Sequence, residues 1–421
     1  MDNVTHTLAG LVAARAALYL RSRHATRHSA ALPWATLTAS AFANNAPDLD
    51  FLYRGITPGK LGYLLHHRGH THTLLATPAL ALFCLVLVAG LLRLHGQQLP
   101  RREWGFLLGV SVAGGVLHVA MDFGNNYGVH PFWPIDNHWY YGDAIFIVDP
   151  WLMLVLGGLA FGATQSRLGR SLIGLILGGL LLIAWAMAFG AQPRGPSPPV
   201  SFALAAALSV FAASWLGWLH WGPSRARRWS GALALALLLS VQLLARNAVR
   251  ATARVALAGS LEQVSLATTP LPGNPLCWSV IAVGVSGAAP SARQYVVQHA
   301  LAAAWPALLP ARACGSPLVH ATAPLVGPSA PLRDAEGIVW GGQFRAPLAQ
   351  LHALEHDCVA SAFLRFARVP FWVQDGARAT LVGDARFDRS PALDFTDLPL
   401  DSAAECPDHL PPWAPPLARL E

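Results

Sequence analysis

The stretch His66-His67-Arg68-Gly69-His70-Thr71-His72-Thr73 runs directly into 74–92, a segment without one charged residue. Crossing the bilayer core takes about 20 predominantly apolar residues, so 74–92 reads as a membrane-spanning helix. The polar half sets four imidazoles and one guanidinium at the mouth of that helix. Such groups are costly there unless they have partners. Imidazole is the commonest metal ligand among side chains. A solvated interfacial loop is the plainer alternative, and the rest of the chain has to decide between them.

Composition agrees with a membrane setting. Of 421 residues 54% are hydrophobic and 12% charged, against about 25% charged in ordinary soluble domains. The net charge of +7 comes from arginine, Lys60 being the only lysine. The arginines cluster in short loops between apolar runs, which marks them as topology determinants rather than a nucleic-acid surface. No Cys-x-x-Cys pair is present, and the polar, acidic start does not resemble a cleavable signal peptide.

Outward from the central stretch, apolar runs recur at 1–19, 33–46, 106–121, 144–161, 172–191, 201–222 and 230–245. Arginine-dense loops at 21–31, 93–103, 164–170 and 222–228 alternate with sparser ones at 47–72, 123–143 and 191–199. With the dense loops cytoplasmic, eight crossings follow, two of them short, and both termini lie outside. Beyond Arg254 prolines become frequent and apolar runs shorten to strand length, as in 277–285, 337–344, 363–373 and 379–382. The expected fold is therefore mainly α. It comprises a polytopic helical bundle over 1–250 and a smaller extracytoplasmic β-containing domain over 251–421. Cys277, Cys314, Cys358 and Cys406 fall in that domain. Two disulfides, in any of three connectivities, or four thiols are compatible with it.

On this topology the polar residues gather on the outer face: His6, Asp48, Asp50, His67, His70, His72, His118 and Asp122. His118 and Asp122 stand four apart and so share a helix face. Asp48 and Asp50 reach one site only from a non-helical turn, which Pro47 favours. Several histidines with two or three carboxylates suit a zinc or manganese hydrolytic centre. His130, Asp136, His138, Asp143 and Asp149 are secondary candidates for substrate contact or extra ligation. Trp133, Trp139, Tyr140 and Tyr141 read as an interfacial aromatic belt, and His352 with His356 as a surface helix.

Four motifs together resemble a family. They are Asp2-Asn3-Val4-Thr5-His6-Thr7-Leu8-Ala9-Gly10, Asn45-Ala46-Pro47-Asp48-Leu49-Asp50, His67-Arg68-Gly69-His70-Thr71-His72-Thr73 and His118-x-x-x-Asp122. Taken in that order they are similar to the bacterial membrane-bound metal-dependent hydrolases, also labelled LexA-binding. Gly142-Asp143, Val148-Asp149-Pro150-Trp151, 272–278 and 363–371 look similar to later family segments. The resemblance implies His6, Asp48, Asp50, His67, His72, His118 and Asp122 as metal-site residues. His70 stands where the family carries an apolar residue, and Thr73 where serine is usual. A more distant similarity joins the motif order to zinc-dependent phospholipases C.

The expectation is a multi-pass inner-membrane hydrolase with a divalent metal, zinc ahead of manganese, opening on the outer leaflet. Its substrate would be a membrane lipid or lipid-linked ester, with no nucleic-acid partner. LexA association does not fit a C-terminal domain outside the cytoplasm. Asp48 or Asp122 would serve as general base or orient water. Arg68 would hold a phosphate or pair with Asp50, with His70 and Asp143 as further substrate contacts. The competing expectation is a non-catalytic membrane scaffold or sensor with a structural His/Asp cluster. A transporter is disfavoured because 74–92 and 172–191 carry no ionisable residue.

Overall fold

The computed structural model describes all residues except 24–27, 191–195, 288, 290–291, 316–322, 326–336, 377, 389–393, 401–404 and 418–421. Part of the basic stretch after the first helix, and the start of the Pro-rich link, lie outside the described residues. The chain is mostly helical and ends in an antiparallel sheet domain. Helices α1 (Asn3–Ser22), α2 (Leu32–Ala43), α3 (Gly59–His66), α4 (Ala76–Leu94) and α5 (Arg101–Phe123) form the first half. Helices α6 (Pro150–Ala163), α7 (Arg167–Phe189), α8 (Pro198–Trp221) and α9 (Ser224–Leu257) complete the bundle.

Among the described residues, five segments are long and apolar enough to cross a membrane: Ala76–Leu94, Arg101–Phe123, Arg167–Phe189, Pro198–Trp221 and Trp229–Leu257. Eight crossings were expected, and three helices fall short. α2 has 12 residues, and α1 carries Arg15 and Arg21 among its 20. α6 begins at Pro150 rather than near 144, because Asp149 caps its first turn through the Leu152 N–H. That leaves 14 residues. All three pack against longer neighbours rather than standing alone in lipid.

Small residues set the helix spacing around the future site. A Cβ on Gly10 would lie 2.9 Å from the Ser40 carbonyl oxygen, and one on Gly114 would lie 3.1 Å from Ala43 Cβ. α1, α2 and α5 therefore approach closely, as small residues allow in membrane helices. The Ser40 hydroxyl donates to the Gly10 carbonyl at 2.8 Å and locks the first crossing.

Strands β1 (Glu262–Leu271), β2 (Asn274–Ser286), β3 (Gln294–Ala303) and β4 (Ile338–Pro347) form an antiparallel sheet in sequential order. Then come α10 (Leu348–Leu354), α11 (Cys358–Leu364), β5 (Pro370–Asp375), β6 (Arg378–Asp384) and β7 (Leu398–Pro399). The last three strands make a second antiparallel sheet in order β5-β6-β7. The segment 363–373, expected at strand length, holds the last two residues of α11, a turn over 365–369 and the first four residues of β5. α9 runs past the expected boundary at 250: Ala245, Val249, Ala253 and Leu257 are buried with Trp278, Val280 and Ala300 of the sheet. The other face of the sheet packs on α10, α11 and the second sheet, and that core takes in Leu61, Leu64, Leu65, Tyr127 and Trp139. The domain thus docks on the bundle end that bears the histidine stretch. Disulfides join Cys277 to Cys314 and Cys358 to Cys406.

Candidate metal centre

Pro47 ends α2's register and a short 3-10 helix, Ala46–Leu52, takes over. This turn brings Asp48 and Asp50 to opposite ends of one imidazole. Asp50 Oδ2 lies 3.4 Å from His72 Nδ1, and Asp48 Oδ1 lies 3.4 Å from His72 Nε2. His72 comes from a second short 3-10 turn, His70–His72. Arg68, just before it, has φ of 59°, a left-handed conformation uncommon outside glycine. The turn aims the Arg68 backbone N–H at Asp50 Oδ2, at 2.8 Å.

From the third side, α5 supplies His118 and Asp122. His118 Nδ1 donates to the Asn44 carbonyl at 2.7 Å, a contact made possible by the close approach of α2. That bond fixes the tautomer and leaves Nε2 as a bare lone pair. Asp50 plays the same part for His72, whose Nδ1 faces a carboxylate. The two Nε2 atoms then face each other at 3.0 Å.

Four donor atoms converge here, from Asp48, His72, His118 and Asp122, all within 4.8 Å of one another. His72 Nε2 lies 3.2 Å from Asp122 Oδ2, and His118 Nε2 lies 3.4 Å from Asp122 Oδ2 and 3.7 Å from Asp48 Oδ1. Ligands about 2.0–2.1 Å from a tetrahedral ion stand ~3.4 Å apart. The measured edges bracket that value. Asp122 Oδ2 is also buried without a hydrogen-bond partner, as expected of an atom placed to meet a cation. Two facing nitrogens and two buried carboxylates are unfavourable neighbours for each other, and a divalent ion offsets both. The group therefore fits a metal.

The remaining predicted ligands stand one layer out. His6 stacks on His118 with ring centroids 3.8 Å apart, and its Nε2 lies 3.3 Å from Asp122 Oδ1. The same oxygen takes the Met1 amino group and Arg68 Nη2, the latter at 3.1 Å. His67 Nδ1 pairs with Asp50 Oδ1 at 3.2 Å. Asp50 thus orients His72 and His67 instead of joining the four donors. Burial opposes its charge, but the hydrogen bonds from His67 and His72 outweigh burial and hold its carboxyl below the usual range. For Asp48 the same contest, with His72 and His118 against burial, leaves the pKa at about 2.

The substrate contacts expected from the sequence lie elsewhere. Arg68 is buried, its Nη1 donating to Asn125 Oδ1 at 2.8 Å while Nη2 meets Asp122. Its expected pairing with Asp50 runs through the backbone, so the guanidinium supports Asp122 and does not face outward. His70 packs between Trp133 and Trp413. Asp143 gives both oxygens to Arg368, at 2.7 and 2.8 Å, and one to Arg250 at 3.1 Å. It clamps the C-terminal domain to the bundle and is spent as a substrate contact. Asp136 pairs with His138, and Asp149 caps α6 while accepting from Gln242 at 3.2 Å. His130 stacks on Trp413, with centroids 3.7 Å apart.

The expected aromatic belt is also differently used. Trp139 is buried and donates to the Arg365 carbonyl at 2.7 Å, and Tyr141 lies under the Arg368 guanidinium. They join the two domains. Sequence reading missed Asn44, Asn125 and Trp413. Asn44 acts through its carbonyl, which every residue possesses. Trp413 reaches the histidine loop from the far end of the chain, donating to the Leu65 carbonyl at 2.7 Å.

No curated protein and no solved structure matches the chain. A family description does. Residues 1–193, just under half of the chain and including every one of the four donors, match the model of the YdjM inner membrane protein family. That likeness and the five helices of spanning length support a multi-pass inner-membrane protein carrying a His/Asp group that could hold a metal ion.

Proposed function

We propose that the chain is a membrane-embedded, metal-dependent hydrolase acting on a phosphoester, or other ester, of a lipid or lipid-linked substrate. The observation that carries this reading is the four-donor group with tetrahedral spacing, assembled from three separate elements. Two imidazoles and two carboxylates suit zinc, with manganese as the nearest competitor. A divalent ion held there would supply Lewis-acid activation of water and of the scissile group's oxygen.

The chain's own residues do the rest. Asn44 and Asp50 hold His118 and His72 in the tautomers that bare Nε2. Arg68 and His6 hold Asp122 Oδ1, so Oδ2 keeps its aim. Asp48 is the one donor that meets the surface, its side chain 17% exposed against 0% and 1% for the others. A substrate therefore arrives on the Asp48 side, and Asp48 is the carboxylate positioned to orient water. Phe51 and Leu52, on the same 3-10 helix, are 52% and 71% exposed. That apolar rim favours a lipid over a soluble metabolite.

The extracytoplasmic side is supported by the two disulfides, which persist in oxidising compartments, and by the arginine-dense loops at the opposite end. The depth at which three donors are buried favours one second reading, a closed structural metal in a membrane scaffold. Metal analysis of detergent-purified wild type, His72→Ala and Asp122→Ala, with a phosphodiester and lipid-ester screen, separates the readings. Near-stoichiometric metal lost in both variants, with turnover that follows it, supports the hydrolase. Metal without turnover on any ester leaves the scaffold, and no metal after reconstitution overturns both.

A further inference from the structure

Arg15 lies in the apolar part of α1. Among the described residues it has neither a hydrogen bond nor an ion pair. Its side chain lines a groove of about 620 Å³ between α1, α2, the end of α6 and the start of α7. Leu8, Leu11, Leu37, Ile173 and Ile176 make the apolar walls, and Thr164, Gln165 and Ser166 close the end near Arg15.

Depth follows from the helical rise. Arg15 stands about 18 Å along α1 from Asn3, and Thr164 about 21 Å along α6 from Pro150, at ~1.5 Å per residue. Asp2 donates to the Ile147 carbonyl, so the two helices start level and run side by side. Arg15 and the 164–166 turn are therefore at about one height, in the half of the bundle away from the metal centre, with α1 running on to Ser22. An apolar groove about 18 Å long matches one leaflet of a hydrocarbon core ~30 Å thick. A guanidinium at the foot of such a groove is costly unless an anion meets it.

We propose that this groove binds one anionic phospholipid from the leaflet opposite the metal centre. Its phosphate sits on Arg15, whose planar fork suits phosphate oxygens, and an acyl chain lies along the walls toward Val4. Gln165 and Ser166 offer further polar contacts to the headgroup. The inference rests on the membrane setting alone and stands whether or not the metal centre hydrolyses anything.

The test is native mass spectrometry of the full chain in mild detergent, supplied with phosphatidylglycerol, phosphatidylcholine or inorganic phosphate. Wild type is expected to retain one phosphatidylglycerol in preference to phosphatidylcholine, with no retention of inorganic phosphate. Losing a charge-assisted contact should lower that retention about tenfold in Arg15→Gln, and less in Arg15→Lys. Ile176→Trp, which fills the groove without touching Arg15, should lower it too, and it carries the test if Arg15→Gln does not fold. Equal retention of phosphatidylglycerol by wild type, Arg15→Gln and Ile176→Trp overturns the proposal. So does equal retention of phosphatidylcholine, which would leave Arg15 an arginine that reaches water on its own.

Discussion

Within the candidate metal centre the imidazole of His72 is held at both ends, by Asp50 at Nδ1 and by Asp48 at Nε2. The two carboxylates, two residues apart in sequence, should respond differently to substitution. Asp50→Asn keeps all four donors but weakens the orientation of His72. Its metal affinity is expected to fall about 10–100-fold, the usual cost of losing an outer partner, as read by competition with a chromophoric chelator. Removal of a donor, as in His118→Ala, should abolish stoichiometric binding. Arg68→Ala would leave Asp122 buried without its guanidinium. Breaking a buried ion pair from one side costs about 3–5 kcal/mol, so denaturant unfolding of the apo protein should shift by that order. The residue types and spacings of the four donors were readable because each sits in a short, chemically unusual motif beside apolar sequence. The layering was not. Whether an aspartate ligates or orients depends on a 3-10 turn of Pro47 and on a left-handed Arg68, and neither leaves a compositional trace.

Helices and strands differ in how openly the sequence declares them. α4 announces itself by the 19 uncharged residues 74–92 before Arg93, and β2 by the apolar stretch 280–285. α6 is shorter than its apolar stretch suggests, because the residues before Asp149 are held by the α5–α6 loop. Ala144 and Ile145 both donate to the Gly124 carbonyl, at 2.9 Å. α9 is longer than expected, because its arginine-bearing end finds sheet residues to cover. The cap of α6 offers a direct check at this scale. Asp149→Ala removes the acceptor of the Leu152 N–H and of Gln242, and should cost about 1–2 kcal/mol. A fall in the thermal midpoint, with metal content unchanged, is the expected record. A loss of metal along with it would mean that α6 also supports the centre.

For the molecule as a whole, the C-terminal domain and the bundle share one core, and His130 sits at the junction. Burial drives its pKa down to about 3, although the Arg68 carbonyl, accepting from Nδ1, pulls the other way. An exposed histidine titrates near 6.5, so below about pH 6.5 an undocked state takes up a proton that the docked state refuses. Stability should therefore decline as pH falls from about 6.5 toward 3, and His130→Phe should flatten that decline in thermal scans. The disulfides give a second check: without reductant, Cys277, Cys314, Cys358 and Cys406 should resist alkylation in intact membranes. The Cys358–Cys406 bond ties α11 to the segment that ends in Trp413. That segment, made well after the donors, walls the histidine loop through Trp413. A nascent chain has all four donors in the bilayer some three hundred residues before Trp413 is synthesised. The donors are thus in place before the wall on the His70 side of the loop exists, and an oxidation step then pins the segment that supplies it. A chain that fails to oxidise should therefore hold its histidine loop less firmly, and a metal bound there should leave it faster than one bound to the oxidised chain.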